Sequence, residues 1–181
     1  MHALWIILHL IGVAFGAGGA FVSDALFFSA LEDKRLSQTE LRFLKLASTL
    51  VWIGVGILLV SGAGLFWEDK TRYLASSKFL VKMTIVLVII VNGLVFHYRH
   101  MPLMQSANGG DVRRTARFRA KSPLLFVSGA VSAVSWLSAL ILGALRSIPL
   151  SYGEGMALYL GVVVVGSLCA LVLRKKILAV R

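Results

Sequence analysis

Four polar side chains interrupt long apolar stretches of this 181-residue chain, and they are the first candidates for chemistry: His9, Lys82, Asn92 and His97. A neutral imidazole can ligate a metal, and it can also accept a proton near neutral pH. A lysine ammonium can hold an anionic group of a ligand. Because polar groups are costly inside lipid, those at membrane depth are functional candidates by default.

His9 heads a stripe of small residues, since Gly12, Gly16, Gly19 and Ser23 follow at intervals of three or four. A small-residue stripe is the usual signature of close helix–helix packing. It also suits a flat macrocycle lying against the helix with His9 as the axial iron ligand, because imidazole is the usual proximal ligand of haem. Both interpretations stay open, and the second makes Gly12 and Gly16 cofactor-binding residues.

His97 begins a run that continues through His100 and Met101, with Met104 one turn later. Imidazole and thioether groups together suit a soft metal such as copper, so His97 is a candidate metal ligand. The alternative is that these side chains are interfacial residues beside anionic lipid.

Asp24 is an acidic residue toward the end of the first apolar segment. A carboxylate there can take part in proton transfer. It can instead pair with Lys34 or Arg35 at the membrane interface, and this pairing is the prediction.

Asn92 and Gly93 interrupt an apolar run and indicate either a cavity or a tight helix contact. Ser128, Ser132 and Ser135 follow one another at intervals of four and three. This spacing places them on one helix face, where we expect interhelical hydrogen bonds.

Composition identifies the elements that must position these residues. The chain is 58% hydrophobic and only 15% charged, whereas a soluble domain carries roughly a quarter charged residues. A bilayer core requires about 20 mostly apolar residues per helix. The sequence therefore predicts a single all-α integral membrane domain over residues 1–181, a bundle of about five transmembrane helices. The predicted spans are 4–31, 43–67, 79–98, 123–145 and 156–173.

Two sequence signals predict where helices begin. Ser37 followed by Glu40 forms a capping box before the second span. Pro123 fits the first turn of the fourth helix, where a missing N–H does no harm.

The distribution of Lys and Arg orients the bundle. Fourteen of the 19 lie after the first and third spans and in the C-terminal tail, against five on the opposite side. The positive-inside rule then predicts an N-terminus outside and a C-terminus in the cytoplasm. Basic loops beside membrane spans also explain the net charge of +11 through lipid headgroups, so no nucleic-acid partner is expected.

This orientation sorts the polar residues by depth. The first and third helices run in the same direction, so His9 and Lys82 should lie together near the outer face. His97 should lie about 20 Å away at 1.5 Å per residue. His9 and His97 are therefore not expected to ligate one haem from both faces.

The segment Leu8–Ile11, the glycines after it and Ala25–Phe28 resemble the first helix of the membrane protoporphyrinogen oxidase family (HemJ type). The aliphatic segment Lys82–Leu87 resembles that family's lysine-bearing third helix, and small copper-resistance D-type proteins are related. The resemblance covers about the first hundred residues. It departs at Asp24–Ala25, where the family has a proline–arginine pair, and in the wider spacing between Lys82 and His97.

The resemblance implies a haem-b membrane redox protein that oxidises a tetrapyrrole and passes electrons into the membrane, with a tetrapyrrole or quinone as partner. His9 would be a haem ligand or catalytic residue, and Lys82 would engage a propionate or a substrate carboxylate. Such a protein would reside in a bacterial plasma membrane.

Two other functions fit the same residues. The first is a proton- or solute-coupled transporter that uses His9, Lys82 and Asp24. The second is a non-catalytic assembly subunit, or a homo-oligomer, that docks through its glycine and serine faces. No phosphate-binding loop and no HExxH or GxSxG motif occurs, so ATP-driven transport by this chain alone and the hydrolases with those motifs are not expected.

Overall fold

The structure, a computed structural model, describes residues 1–32, 37–106 and 116–179. The described residues are almost entirely helical and contain no strand. Five helices are long and apolar enough to cross a membrane, so the prediction of an all-α chain with about five helices of membrane-spanning length is confirmed. The elements are α1 (His2–Glu32), α2 (Gln38–Glu68), α3 (Lys70–Leu74), α4 (Ser77–Val95), a π-helical turn (Phe96–His100), α5 (Met101–Ser106), α6 (Ala116–Ala144) and α7 (Tyr152–Ala179).

The long helices alternate in direction, so the start of α1 and the end of α7 lie at opposite ends of the bundle. At the N-terminal end, His2 Nδ1 contacts Glu68 Oε2 at 2.5 Å, and Lys78 Nζ donates to the Leu145 carbonyl at 2.6 Å. At the C-terminal end, Arg174 on α7 contacts the beginning of α6. Which end faces the cytoplasm stays a prediction from the charge distribution.

The closest helix contact joins α1 to α2 through glycines. A Cβ on Gly54 would lie 2.3 Å from the backbone nitrogen of Gly16. A Cβ on Gly12 would lie 3.0 Å from the Leu58 side chain, and one on Gly16 would lie 2.3 Å from the Trp136 ring. Such approach is available only to residues without a side chain, so the packing interpretation of the small-residue stripe is confirmed.

Capping boxes define two helix starts. Ser37 Oγ accepts from the Glu40 N–H at 3.2 Å while Glu40 Oε2 accepts from the Ser37 N–H at 2.7 Å, as predicted. Ser151 and Glu154 repeat the arrangement at the start of α7. The predicted fifth span began at 156, although the same S-x-x-E spacing was present in the sequence to place the helix start earlier.

The prediction for Pro123 is wrong, because α6 begins at Ala116 and Pro123 lies inside the helix. A proline within a helix has no N–H to donate to the carbonyl four residues earlier, which here belongs to Arg119. That carbonyl accepts from Ser122 Oγ at 2.9 Å and from Arg174 Nη2 at 3.2 Å. Arg174 Nε also donates to Ser122 Oγ at 2.7 Å. A cation from α7 therefore supplies the donor that Pro123 lacks.

Replacing Arg174 with Met should lower the free energy of unfolding by about 1–2 kcal/mol, because it removes charge-assisted hydrogen bonds to a carbonyl that has lost its helical donor. Thermal unfolding in detergent measures the effect. Lys175→Met is the matched control, since Lys175 is exposed. Equal melting temperatures for the two variants would show that α7 does not stabilise α6 in this way.

Candidate functional site

A cavity of about 190 Å³ lies inside the bundle, between α1, α2, α4 and α6. Asp24 is the ionisable residue among its lining residues. The carboxylate faces α6, where a Cβ on Gly129 would lie 3.9 Å from Asp24 Oδ1. Since α1 ends at Glu32, Asp24 lies about 12 Å from the end of its helix at 1.5 Å per residue. The structure thus places a carboxylate in a cavity along a helix that is long and apolar enough to cross a membrane.

The predicted interfacial partners of Asp24, Lys34 and Arg35, lie outside the described residues. Among the described residues, no hydrogen bond or ion pair is formed by the Asp24 carboxylate. The interfacial pairing and the alternative that was left open, a role in proton transfer, therefore both stay predictions.

Asn92 and Ser128 line the cavity, and their side chains hydrogen-bond to each other. Asn92 Nδ2 donates to the Ser128 carbonyl at 3.0 Å, and Ser128 Oγ donates to Asn92 Oδ1 at 2.7 Å. Ser135 Oγ lies 2.8 Å from the hydroxyl of Tyr159 on α7. The predicted interhelical hydrogen bonds of the serine face are confirmed for Ser128 and Ser135, and the predicted cavity beside Asn92 is confirmed.

Two further serines line the cavity, and the sequence analysis selected Ser23 as part of the small-residue stripe but missed Ser48. Ser23 and Ser48 are each 9% exposed, and neither hydroxyl has a hydrogen-bond partner among the described residues. Buried hydroxyls are normally hydrogen-bonded. Ser23 ended the small-residue stripe, but nothing in the sequence showed that Ser48 faces it from α2.

A second polar group lies toward the N-terminal end of the bundle, where His9 Nδ1 is 3.0 Å from Ser61 Oγ. The Ser61 hydroxyl donates its hydrogen to the Ile57 carbonyl at 2.6 Å, so Ser61 accepts from His9. Neutral His9 therefore carries its proton on Nδ1 and presents a lone pair at Nε2. This tautomer suits a proton acceptor or a metal ligand.

Lys82 lies in the second turn of α4. The side chains of Lys82 and His9 are both half-buried. That these two residues share one depth in the membrane stays a prediction, and the structure adds Ser61, which the sequence gave no reason to select, as the hydrogen-bond partner of His9. His9 and Asp24 are separated by 15 positions on α1, or about 22 Å. Apolar residues that include Val55, Ile85 and Trp136 occupy the bundle between the two polar groups.

The space in front of the α1 glycines is filled by protein. Leu58 and the Gly54 carbonyl lie against Gly12, and the Trp136 indole lies against Gly16. The internal cavity is not lined by His9, and drug-sized ligands usually occupy 300 Å³ or more. As packed, Gly12 and Gly16 do not fit a haem ring between the helices.

His97 lies in a different part of the molecule. It is exposed and lines a surface depression with Lys45 and Thr49, near the start of α2. His9, by contrast, contacts Ser61 near the other end of α2, so the two histidines do not share a site. His100 is 2% exposed and packs edge-on against Phe96.

The turn that carries these histidines is π-helical, with the Met101 N–H bonded to the Phe96 carbonyl. Pro102 follows directly and has no N–H, which explains the widened turn. His97 packs against Tyr98 and His100 against Phe96. Among the described residues, no three His, Cys, Asp or Glu side chains group to hold a metal. The copper-type site in this run stays a prediction.

Comparisons of the chain with protein-family models, curated proteins and solved structures find no match. Function is therefore inferred from the chemistry of the two polar groups. One is the carboxylate cavity around Asp24, and the other is the cluster of His9, Ser61 and Lys82.

Proposed function

We propose that this protein is a proton-coupled membrane transporter of a small polar solute, with Asp24 as the coupling group. The single observation that carries the proposal is the Asp24 carboxylate, which lines an internal cavity and has no hydrogen-bond or ionic partner among the described residues. A carboxylate of this kind is expensive to hold ionised at membrane depth.

Coupling between proton binding and solute binding follows from the cost of holding Asp24 ionised. With the cavity free of solute, a proton on Asp24 removes the charge. A solute that stabilises the carboxylate lowers the cost of ionisation, so solute binding and proton release are linked. By linkage, the proton must affect solute affinity by the same factor.

His9 and Lys82 support a proton route at the other end of the bundle. The Nε2 lone pair of His9 can accept a proton, and the Nδ1–H bond to Ser61 at 3.0 Å holds the imidazole in that tautomer. In the orientation predicted from charge, this cluster faces the outside of a bacterial plasma membrane and Asp24 lies nearer the cytoplasm.

Proteoliposomes that contain a trapped pH-sensitive dye test the proposal. Gradients of small cations, neutral polar solutes and anions are imposed in turn, with the membrane potential clamped. We expect one of these solute classes to drive proton movement in liposomes that contain the protein and not in protein-free liposomes. Absence of proton movement with all three classes would overturn the proposal.

A second function, a haem-b redox protein, is supported by one observation, the lone pair that the His9 tautomer presents at Nε2. Haem-ligating imidazoles commonly donate their other N–H in this way. Haem would supply the electron chemistry, and His9 would hold the iron through Nε2, while Gly12 and Gly16 are packed against protein atoms of α2 and α6.

The optical spectrum of the purified protein tests this second function. A Soret band that is lost or shifted in His9→Ala, and retained in His97→Ala, is the expected result. A protein free of iron and without a Soret band would exclude it.

A further inference from the structure

The Asp24 cavity carries charge of one sign. Among its described lining residues, Asp24 is acidic and none is Lys, Arg or His. A half-buried carboxylate without a cationic partner among the described residues attracts a cation or a proton, and disfavours an anion. The charge of the cavity therefore selects against anionic solutes.

The cavity also presents hydroxyls that lack partners. Ser23 and Ser48 are each 9% exposed, line the cavity beside Asp24 and form no hydrogen bond with described residues. With the two carboxylate oxygens of Asp24 they supply four acceptor oxygens that a ligand's N–H groups can satisfy. Asn92 and Ser128 are hydrogen-bonded to each other. They line the cavity, but these hydrogen bonds do not require a ligand.

The remaining walls are aromatic. Phe27, Phe28 and Phe126 pack edge to face with ring centroids 5.7–6.0 Å apart, and Trp52 and Trp136 also line the cavity. Indole faces attract organic cations, and the attraction grows when water is excluded. Aromatic walls favour an organic cation over a metal ion, which requires several oxygen ligands.

Volume limits the size of the occupant. The cavity measures about 190 Å³, and an apolar cavity of about 150 Å³ in another protein accommodates benzene. A cation with a few heavy atoms matches this volume.

From the charge, the free hydroxyls, the aromatic walls and the volume, we propose that the cavity binds a small organic cation bearing N–H groups, of the guanidinium or alkylammonium class. The inference rests on the proposed transport function and names its solute class. Because one carboxylate accepts either the proton or the cation, the two are exchanged: one cation leaves Asp24 as one proton binds.

Methylguanidinium is a suitable probe, because it stays charged at all relevant pH values, and methylurea is its neutral analogue of nearly equal shape. Calorimetric titration of the detergent-purified protein should show binding of methylguanidinium and none of methylurea. Asp24→Asn should weaken binding by about 100-fold or more, because a charge-assisted contact is lost. Ser48→Ala should weaken it about fivefold to tenfold.

Asp69→Asn is the matched control, since Asp69 is an exposed carboxylate that caps α3 and asparagine caps helices equally well. It should bind methylguanidinium as the wild type does. Equal binding of methylguanidinium and methylurea, or binding unchanged by Asp24→Asn, would overturn the inference.

Proteoliposomes separate failure of this inference from failure of the proposed function. Outflow of trapped methylguanidinium should acidify the lumen, with one proton taken up for each cation released. Proton movement driven only by a neutral solute or an anion would overturn the cation assignment and leave the transport function standing. Specific binding without any proton movement would support the cation site and overturn transport.

Discussion

Asp24→Asn should abolish solute-driven proton movement and leave the folded protein no less stable than the wild type. The amide has nearly the shape of the carboxylate but cannot release a proton at physiological pH. No described residue donates a hydrogen bond to Asp24, so no stabilising contact is lost. With the cavity free of solute, the protonated carboxyl is neutral, and asparagine is also neutral, so the substitution leaves no unpaired charge in the cavity. Flux in proteoliposomes should fall to the level of protein-free liposomes.

Stability and flux must be measured on the same preparation of Asp24→Asn. Thermal unfolding in detergent shows whether the variant is folded, and Asp69→Asn controls for loss of a carboxylate elsewhere. A folded Asp24→Asn protein that transports as well as the wild type would remove Asp24 from the mechanism. A variant that unfolds more easily than the wild type would contradict the absence of structural contacts at this side chain.

Gly54→Ala should produce the largest loss of stability among single-methyl additions in α2. Its Cβ would lie 2.3 Å from the Gly16 nitrogen and 2.7 Å from the Gly12 carbonyl oxygen. Backbone atoms cannot rotate away as side chains do, so α1 and α2 must separate. Overpacking of this kind costs about 1–3 kcal/mol, and the polar groups that α1 carries would move with it.

Gly56→Ala is the matched control for Gly54→Ala, because nothing lies within 4 Å of a Cβ at Gly56. Alanine is the better helix former by about 1 kcal/mol, so this variant should be as stable as the wild type or more so. Thermal or denaturant unfolding in detergent compares the two. Equal stability of the variants would mean that α1 and α2 do not pack through Gly54.

Much of the fold could be predicted from the sequence, because the positions of the helices depend on composition and on contacts between residues close in sequence. An apolar run of sufficient length predicts a membrane helix, and Ser37 with Glu40 predicts where α2 begins. Depth follows from counting residues along helices, which is why His9 and Lys82 were expected together and His97 apart. Each of these properties is set by length, composition or a contact three or four residues away.

The choice of facing surfaces was decided only by the tertiary structure. In lipid, a helix is apolar on its outer face as well as its packed face, so apolar periodicity does not indicate which side meets a neighbour. The sequence therefore could not show that Ser61 meets His9, that Ser48 faces Ser23, or that Trp136 fills the space at Gly16. For the same reason Asp24 was expected at the interface and not in a cavity.

Pro123 shows that the start of a helix can also depend on contacts with another helix. Local rules favour a proline in the first turn, because its missing N–H is then harmless. In the fold, α6 extends upstream to Ala116 because Arg174, 51 positions later in the sequence, donates to the freed Arg119 carbonyl. The sequence by itself determined five helices that are long and apolar enough to cross a membrane and the order of the polar residues along them. The tertiary structure decided which of those groups meet, because only packing brings residues from separate helices within hydrogen-bonding distance.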